Sequence, residues 1–590
     1  MNYHWSLNEL YEGFDSEAFL SDLKKADALL KTLDESSKSL KDTFSMEQYF
    51  KATESFEATI QKLYSFCNLT FSTDTKHEDA LKYMDKVMTL YQNASVLRTR
   101  LTAFLSTVAD LDVLISPSEY LKSIEFIILE EKEQSAHILS EAEERIASKL
   151  SLTGSYAWET LQSKLTSTLT ADVKRNGTTE TLPIASVRNM AYDADATVRK
   201  SAYEAEIKAY EKIDEAVALS LNSIKGEVIT MSALRGYDSP LARTLSASRM
   251  TEKTLNAMLN AMKNYLPDFH RYLQTKAKLM GHENGLPFYD LFAPVGTASR
   301  KYSYEEGCDF VLKNFRTFSD KLYQSAKDAM DKSWIDVKPR EGKVNGAFCS
   351  DQHSIGEFRV MLNYTGNLSD VTTLAHELGH GYHAMCAMQE NILMINAPMP
   401  LAETASTFCE TIVNNAVLKE ATTSEKMTIL ENSLQDATQV ICDIYSRYLF
   451  ESQLFENRGD HPLSVDELKN IMLDAQMTAY GDGLDPEIRH PYMWLIKPHY
   501  YSAGLNFYNF PYAFGLLFAK GLYAKYLDSP EYFVKHYDTL LAAAGKMKVI
   551  DVCKIMDIDV ESEAFWNTSL EIIKEDIETF IALAEDTLNH

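Results

Sequence analysis

"TLAHELGHGYH", at residues 373–383, contains three of the fourteen histidines in the chain and one glutamate. Apolar residues recur at helical spacing in and just before this stretch: Val371, Leu374, Ala375, Leu378 and Tyr382. With the polar pair Ser369 and Asp370 in front, the pattern predicts an α-helix that begins near residue 369. Because His376 and His380 are four residues apart, their imidazoles lie on one helical face and can bind the same ion.

This arrangement suits a catalytic zinc ion, which takes three protein ligands and leaves a fourth position for water. Glu377 would lie beside such an ion, where it can take a proton from the attacking water and pass it to a leaving amine. The H-E-x-x-H pattern also arises by chance, so a third ligand is needed. His383 follows His380 by three residues and is rotated away from His376, which favours a packing or substrate-facing role.

Downstream, Glu403, Ser406 and Glu410 are spaced by three and four residues and so share one stripe of a predicted helix. Two readings are open. The stripe could be a solvated acidic face. Since the other face of the helix is apolar, it could instead point into the interior, with Glu403 as the third ligand and Glu410 accepting a hydrogen bond from a ligand histidine.

Composition narrows the class of protein. The chain has 590 residues with 45% hydrophobic and 24% charged residues, which is typical of a globular, helix-rich protein with more than one structural unit. The formal net charge of −27 repels phosphate backbones and anionic lipid headgroups, so we expect neither a nucleic-acid nor a membrane partner.

The seven cysteines are scattered and form no C-x-x-C pair, as expected in a reducing compartment. The first residues show no basic start followed by an apolar run, so we expect no signal peptide. No stretch is long and apolar enough for a membrane span. A cytoplasmic location is predicted.

Helical periodicity covers residues 16–150, fades, and returns after residue 190. In the break, Asn176 and Gly177 separate two threonine-rich runs and predict a hairpin turn. We therefore expect an N-terminal helical domain at 1–190 and a catalytic domain at 191–590. Two short runs at 347–350 and 358–364, rich in aromatic and β-branched residues, predict a strand pair.

Several motifs together resemble the M3 family of zinc oligopeptidases, specifically its oligoendopeptidase F branch. They are PFYDLFAPVG at 287–296, GKVNGAFCS at 342–350, LNYTGNLSDVTTLAHELGHGYHAM at 362–385, PLAETASTFCET at 400–411 and KPHYYSAGLNFYNFPYAFG at 497–515. The resemblance covers about 190 to 570. It implies a mainly α fold, a two-part helical ellipsoid around a deep channel that admits unfolded peptides, with a small β-hairpin near the zinc site.

The resemblance also implies one Zn²⁺ per chain, held by His376, His380 and Glu403, with Glu377 as general base. The strand pair would then receive the substrate backbone as an additional strand. For donors to the developing oxyanion, the best matches are His499, Tyr508 and Tyr512, the two tyrosines being able to share a helical face. In this segment SAGL looks inserted and Phe514 stands where the family has a small residue, which leaves Tyr501 as a further candidate.

The predicted function is that of a zinc metalloendopeptidase that hydrolyses internal bonds of short oligopeptides by attack of a zinc-bound water activated by Glu377. An exopeptidase with the same motif is an alternative, although it needs a fixed cation for the terminal carboxylate that the sequence does not reveal. A helical scaffold with an inert H-E-x-x-H motif is a second alternative, which metal analysis distinguishes.

Overall fold

Helices dominate the fold, in the segments where apolar residues recur at intervals of three and four. A computed structural model describes residues 3–175, 177–296 and 301–589. The predicted mainly α class is confirmed. Two compact units can be distinguished, and each is assembled from three segments of the chain. The first comprises Met1–Ile138, Ser299–Val417 and Lys525–Ile558, and the second comprises Leu139–Ala298, Leu418–Ala524 and Asp559–His590.

In the described residues the helices are, in chain order, α1 (Glu17–Lys38), α2 (Thr43–Thr73), α3 (Glu78–Thr107), α4 (Asp112–Ile115), α5 (Glu119–Ser123), α6 (Glu125–Gln134), α7 (Glu141–Thr153), α8 (Ser155–Thr168), α9 (Ile184–Asn189), α10 (Ala196–Tyr210), α11 (Asp214–Leu234), α12 (Pro240–Ala247), α13 (Glu252–Leu279), α14 (Tyr304–Phe318), α15 (Asp320–Asp331), α16 (Leu368–Ala387), α17 (Met399–Ala402), α18 (Thr404–Glu420), α19 (Thr423–Thr438), α20 (Ile444–Asp460), α21 (Val465–Tyr480), α22 (Phe510–Asp528), α23 (Pro530–Ala543), α24 (Val549–Lys554) and α25 (Glu563–Asn589). The strands are β1 (Thr170–Arg175), β2 (Thr178–Pro183), β3 (Ile335–Asp336), β4 (Phe348–Gln352) and β5 (Glu357–Met361).

The N-terminal core of the first unit forms between α1, α2 and α3, whose apolar faces meet. Phe19, Phe56 and Leu63 are fully buried there, and each such side chain stabilises the fold by about 1.5–3 kcal/mol. Phe348 of β4 and Met394 pack on the same core. The N-terminal helices therefore support one strand and one loop that border the site described below.

In the second unit, β1 and β2 form the predicted hairpin, with Arg175 opposite Thr178. Gly177 has φ 77, a left-handed conformation that costs glycine nothing. Asn176, the other predicted turn residue, lies outside the described residues.

The three-stranded sheet of the first unit has the order β3-β5-β4. β4 and β5 pair antiparallel, with Cys349 opposite Val360 and Asp351 opposite Phe358, while β3 pairs parallel to β5. The predicted strand pair is confirmed with its limits shifted by a few residues. Within the described residues β4 is an edge strand, so its outer backbone groups are available to a further strand.

The helix that carries the histidines begins at Leu368, one residue before the predicted start. Asn367, not Ser369 or Asp370, is the N-cap of α16. Asp370 is the third residue of the helix, where its carboxylate accepts hydrogen bonds from the backbone N–H groups of Thr365, Gly366 and Asn367 at 2.8–3.0 Å. A carboxylate is favourable at this end because the helix dipole is positive there.

None of the described helices is both long enough and apolar enough to cross a membrane. The division predicted near residue 190 stays a prediction. The compact units follow spatial packing, and their boundaries fall elsewhere in the chain.

Candidate metal centre

His376 and His380 lie on one face of α16, as their spacing predicted. Their Nε2 atoms are 3.1 Å apart. The two side chains are 24% and 27% exposed, so both can be reached from an adjoining cavity. The two imidazoles are mostly buried, so the surrounding protein holds them in place, yet an ion can still reach them.

Glu403 brings a carboxylate oxygen to the two imidazoles. Its Oε2 atom is 3.3 Å from His376 Nε2 and 3.2 Å from His380 Nε2. The three atoms form a nearly equilateral triangle, and this group could hold a metal ion. Ligand atoms about 2.0–2.1 Å from a tetrahedral zinc ion are separated by roughly 3.3 Å, so the donor set and its spacing fit zinc.

Glu403 does not lie within a helix, unlike the predicted stripe. It follows α17 directly and precedes α18, and its carbonyl accepts a hydrogen bond from the Thr407 N–H at 3.1 Å. Ser406, in the first turn of α18, donates its hydroxyl to Glu403 Oε2 at 2.8 Å. The carboxylate is thus oriented from the start of the helix that follows it.

A glycine inside the motif allows this approach. A Cβ atom on Gly379 would lie 2.6 Å from the Ala405 carbonyl oxygen and 2.7 Å from the Ser406 Cα atom. Real Cβ atoms do not come this close to backbone, so any side chain would push α16 and α18 apart. Gly379 therefore lets the backbone beside Glu403 reach the helix that carries the histidines.

Charged neighbours orient the donor side chains and shift their pKa values. His376 Nδ1 is 2.9 Å from Glu410 Oε1, the contact predicted for a carboxylate behind a ligand histidine. Burial opposes protonation of His376, but the carboxylates of Glu410, Glu377 and Glu403 together outweigh it, and the His376 pKa is raised. Burial also opposes ionisation of Glu403, yet hydrogen bonding to His380 and the neighbouring charges lower its pKa to about 2.

Glu377 is 6% exposed and lines the same cavity as the three donor residues. Burial raises its pKa, while the imidazoles of His376 and His380 act in the opposite direction. Its carboxylate is near the His376, His380 and Glu403 side chains but is not one of the converging donors.

His383 is outside the donor triangle, as predicted from its rotation around the helix. It is 8% exposed. Burial and the neighbouring His380 lower its pKa to about 4, which keeps the imidazole neutral. Its side chain contributes to the wall of the cavity rather than to the group of donors.

The cavity beside His376, His380 and Glu403 has a volume of about 450 Å³. Its walls come from α16, from β4 and from the segment between α16 and α18. They are largely small or apolar side chains: Ala347, Phe348, Cys349, Ala384, Ala387, Met388, Ile395, Ala397 and Ala402. A space of this size accommodates several residues of an extended peptide.

The predicted oxyanion donors belong to the second unit, where His499, Tyr508 and Tyr512 are brought together. The rings of His499 and Tyr508 stack with centroids 4.6 Å apart, and the hydroxyls of Tyr508 and Tyr512 share a hydrogen bond of 2.8 Å. Burial lowers the His499 pKa, with Arg447 and Lys497 adding to the effect. The tyrosines do not share a helical face, because α22 begins only at Phe510.

Tyr501 has a different place. Its ring is fully buried, and its hydroxyl donates to the Trp494 carbonyl at 3.2 Å. Tyr501 is therefore a core residue.

The bend that presents Tyr508 is fixed by a buried ion pair. Phe507 has φ 51, a conformation rare for a bulky residue. Its N–H donates to Glu451 Oε2 at 2.9 Å, and Glu451 is paired with Lys225 at 2.8 Å. Lys225 also donates to the Asn506 side-chain oxygen at 2.8 Å. These contacts offset the backbone strain just before Tyr508.

Sequence reasoning missed two residues that line the cavity, Cys349 and Asp351. They alternate along β4 with Ser350 and Gln352, which do not line the cavity, so the period of two in a strand is the available signal. The predicted run ended at residue 350 and so left Asp351 in the loop, whereas the strand continues to Gln352.

Comparison with known families gives two matches. The model described as peptidase family M3 matches residues 189–572, and the model described as oligopeptidase F matches residues 109–170.

The chain belongs to peptidase family M3.

Curated relatives agree with this assignment. An oligoendopeptidase F homolog from Lactococcus lactis is 25% identical over 540 residues, which is 90% of this chain and 89% of the relative. Oligopeptidase PepF from Bacillus subtilis is 25% identical over 509 residues, covering 85% of this chain and 75% of the relative. This M3 chain is accordingly a metallopeptidase, a hydrolase of the oligoendopeptidase F type.

Solved structures share the fold. A crystal structure of a protein from Chlamydophila abortus superposes with a TM-score of 0.86 at 22% identity, covering 98% of each chain. Oligoendopeptidase F from Enterococcus faecium gives a TM-score of 0.71 at 18% identity, covering 96% of this chain and 99% of that chain. The helical architecture of this M3 peptidase is therefore found in both.

Proposed function

We propose that this M3 peptidase is a zinc metalloendopeptidase that hydrolyses internal bonds of short, unfolded oligopeptides. The observation that carries the proposal is the triangle of His376, His380 and Glu403 donor atoms, with Glu377 beside it in the same cavity. A scaffold with an inert motif would have no need for three converging ligand atoms and an extra buried carboxylate.

His376, His380 and Glu403 would hold one zinc ion per chain. Zinc, when bound, acts as a Lewis acid that makes water a usable nucleophile near neutral pH and polarises the substrate carbonyl. Glu410 fixes the orientation of the His376 ring through Nδ1, which leaves Nε2 as the ligand atom.

Glu377 would be the general base. Its carboxylate accepts a proton from the attacking water and then delivers it to the nitrogen of the leaving amine, so that the group is restored after each cycle. Burial beside the histidines keeps bulk water from competing for this proton.

β4 would bind the substrate backbone. It is the edge strand of its sheet within the described residues, and Ala347, Cys349 and Asp351 line the cavity. Main-chain hydrogen bonds to an edge strand do not depend on side chains, so many sequences can be bound in the same extended conformation.

His499, Tyr508 and Tyr512 are proposed as hydrogen-bond donors to the oxyanion of the tetrahedral intermediate. The stacked His499 and Tyr508 rings and the bonded hydroxyls support a preorganised group. A donor of this kind lowers the barrier by about 3–4 kcal/mol.

Peptides blocked at both ends test the proposal. We expect cleavage at an internal bond, lost after chelation and restored by about one equivalent of zinc per chain. An exopeptidase would need a free terminus and would leave such peptides intact. Absence of zinc binding by the purified chain would support the inert scaffold instead.

A further inference from the structure

The cavity beside the metal-binding residues continues along α16. Ala384 and Ala387 follow His380 on one stripe of the helix and line the same space, with Met388 next to them. Because these side chains are small or flexible, the groove stays open for about 10 Å beyond His380. This wall offers an apolar surface without a charge of its own.

The opposite wall is β4 with the residue before it. Ala347, Phe348, Cys349 and Asp351 line the groove, while Ser350 and Gln352 do not. Side chains two residues apart on a strand are separated by roughly 6.6 Å. Burial raises the pKa of the Cys349 thiol, and Glu377 and Asp351 raise it further. Cys349 thus lies within electrostatic reach of both carboxylates, with Asp351 one strand repeat further along.

Among the described residues, Asp351 has no lysine, arginine or histidine in direct contact. Its Oδ2 atom accepts a hydrogen bond from the Gln61 amide at 2.8 Å. No lysine, arginine or histidine among the described residues forms an ion pair with its carboxylate, although His353 is close enough to act on it electrostatically, and burial raises the Asp351 pKa. Two other carboxylates of the first unit do have such a partner: the buried Asp336 is paired with Lys343 at 2.6 Å, and the half-buried Glu390 with Lys546 at 2.5 Å.

We propose that Asp351 is a specificity determinant that selects peptides with a lysine or arginine side chain at one position along β4. The inference rests on the proposed peptidase function and names its preferred substrate class. The aliphatic stem of a basic side chain packs on Ala384, Ala387 and Met388. Its cationic head supplies the charge partner that Asp351 lacks, through a charge-assisted hydrogen bond.

The competing explanation is that the Gln61 amide satisfies Asp351 and the residue is purely structural. Asp351→Asn distinguishes the two because it keeps the shape and can still accept the Gln61 hydrogen bond while it removes the charge. Asp351→Glu keeps the charge and serves as the rescue variant. Asp309→Asn is the matched control, since it removes one exposed carboxylate from the same unit outside the groove.

The experiment scans lysine against methionine through every position of a hexapeptide blocked at both ends. We expect one position at which the wild-type kcat/KM ratio of lysine to methionine is about tenfold or more. The ratio should fall to near one in Asp351→Asn, and it should be largely kept in Asp351→Glu and fully kept in Asp309→Asn.

A second readout is independent of turnover. Binding of the preferred lysine and methionine peptides is measured by calorimetry on Glu377→Gln, with and without Asp351→Asn. The affinity difference should vanish with the Asp351 charge. A ratio unchanged by Asp351→Asn, or no position with a lysine preference, overturns the proposal. Failure of the wild type to cleave any blocked peptide would instead contradict the peptidase function itself.

Discussion

Three glutamates around two histidines have different chemical environments, which separates their tasks. Glu403 is surrounded by imidazoles and a serine hydroxyl, and its pKa falls to about 2. Glu377, one residue from His376, is buried and its pKa is raised. Glu410 is hydrogen-bonded to His376 Nδ1, on the side of the ring away from Glu403. We propose that one residue type thus supplies a ligand, a base and an orienting group, because position relative to the imidazoles decides which atoms each carboxylate meets.

Replacing the base tests the division directly. In Glu377→Gln we expect kcat/KM on a blocked peptide to fall by about 10²- to 10⁴-fold, because glutamine cannot accept the proton of water. Zinc content measured by metal analysis should stay at one per chain, since Glu377 is not among the converging donors. Loss of zinc together with activity would mean that Glu377 helps to hold the metal.

Glu403→Ala and His383→Ala form a matched pair of variants that tests which residues bind the metal. Glu403→Ala removes one corner of the donor triangle, so we expect less than one zinc per chain after dialysis and no measurable hydrolysis. His383→Ala, a change on the same cavity wall, should retain zinc because its imidazole is not a donor. Full zinc occupancy in Glu403→Ala would contradict the ligand assignment.

Secondary-structure elements can be predicted from the sequence where a local residue pattern specifies them. The β1–β2 hairpin follows from Gly177 between two alternating runs, and α16 follows from apolar spacing around the histidines. β3 was missed because two residues carry no periodicity, and it exists only through pairing with β5. The position of Glu403 between two helices was also missed, since its spacing to Ser406 and Glu410 looks the same in a continuous helix.

The approach of α16 to α18 depends on Gly379. In Gly379→Ala the added methyl would meet the Ala405 carbonyl, and we expect a loss of about 1–3 kcal/mol in the free energy of unfolding. Zinc affinity should fall as well, because the shift moves Glu403 from the histidines. Denaturant unfolding and zinc titration measure the two effects.

Gly459→Ala is the control for Gly379→Ala. Gly459 lies in α20, and a Cβ atom there would have nothing within 4 Å. Alanine is favoured over glycine in a helix by about 1 kcal/mol, so this variant should be neutral or more stable. Equal destabilisation in both variants would show that the loss at Gly379 does not come from the contact with Ala405.

At the scale of the whole molecule, sequence order and spatial packing differ. The first unit combines residues from the start, the middle and near the end of the chain. The three residues that could hold a metal ion come from the middle segment, while Phe348 beside them packs on the N-terminal helices. No local pattern encodes such long-range packing, which is why the sequence suggested a single division near residue 190. The family models match either side of that position, at 109–170 and 189–572.

Because zinc would join α16 to the start of α18, its removal should loosen those segments before the rest of the chain. We expect hydrogen–deuterium exchange of the chelated protein to rise in 368–387 and 399–410. The N-terminal core of α1, α2 and α3, which has its own buried apolar residues, should remain unchanged. Zinc at 100 times its dissociation constant stabilises the folded state by about 2.7 kcal/mol, which sets the size of the effect in the loosened segments. In Glu403→Ala, added zinc should give no such protection. Exchange that rises equally along the whole chain would instead show that the ion stabilises the global fold rather than this junction of helices.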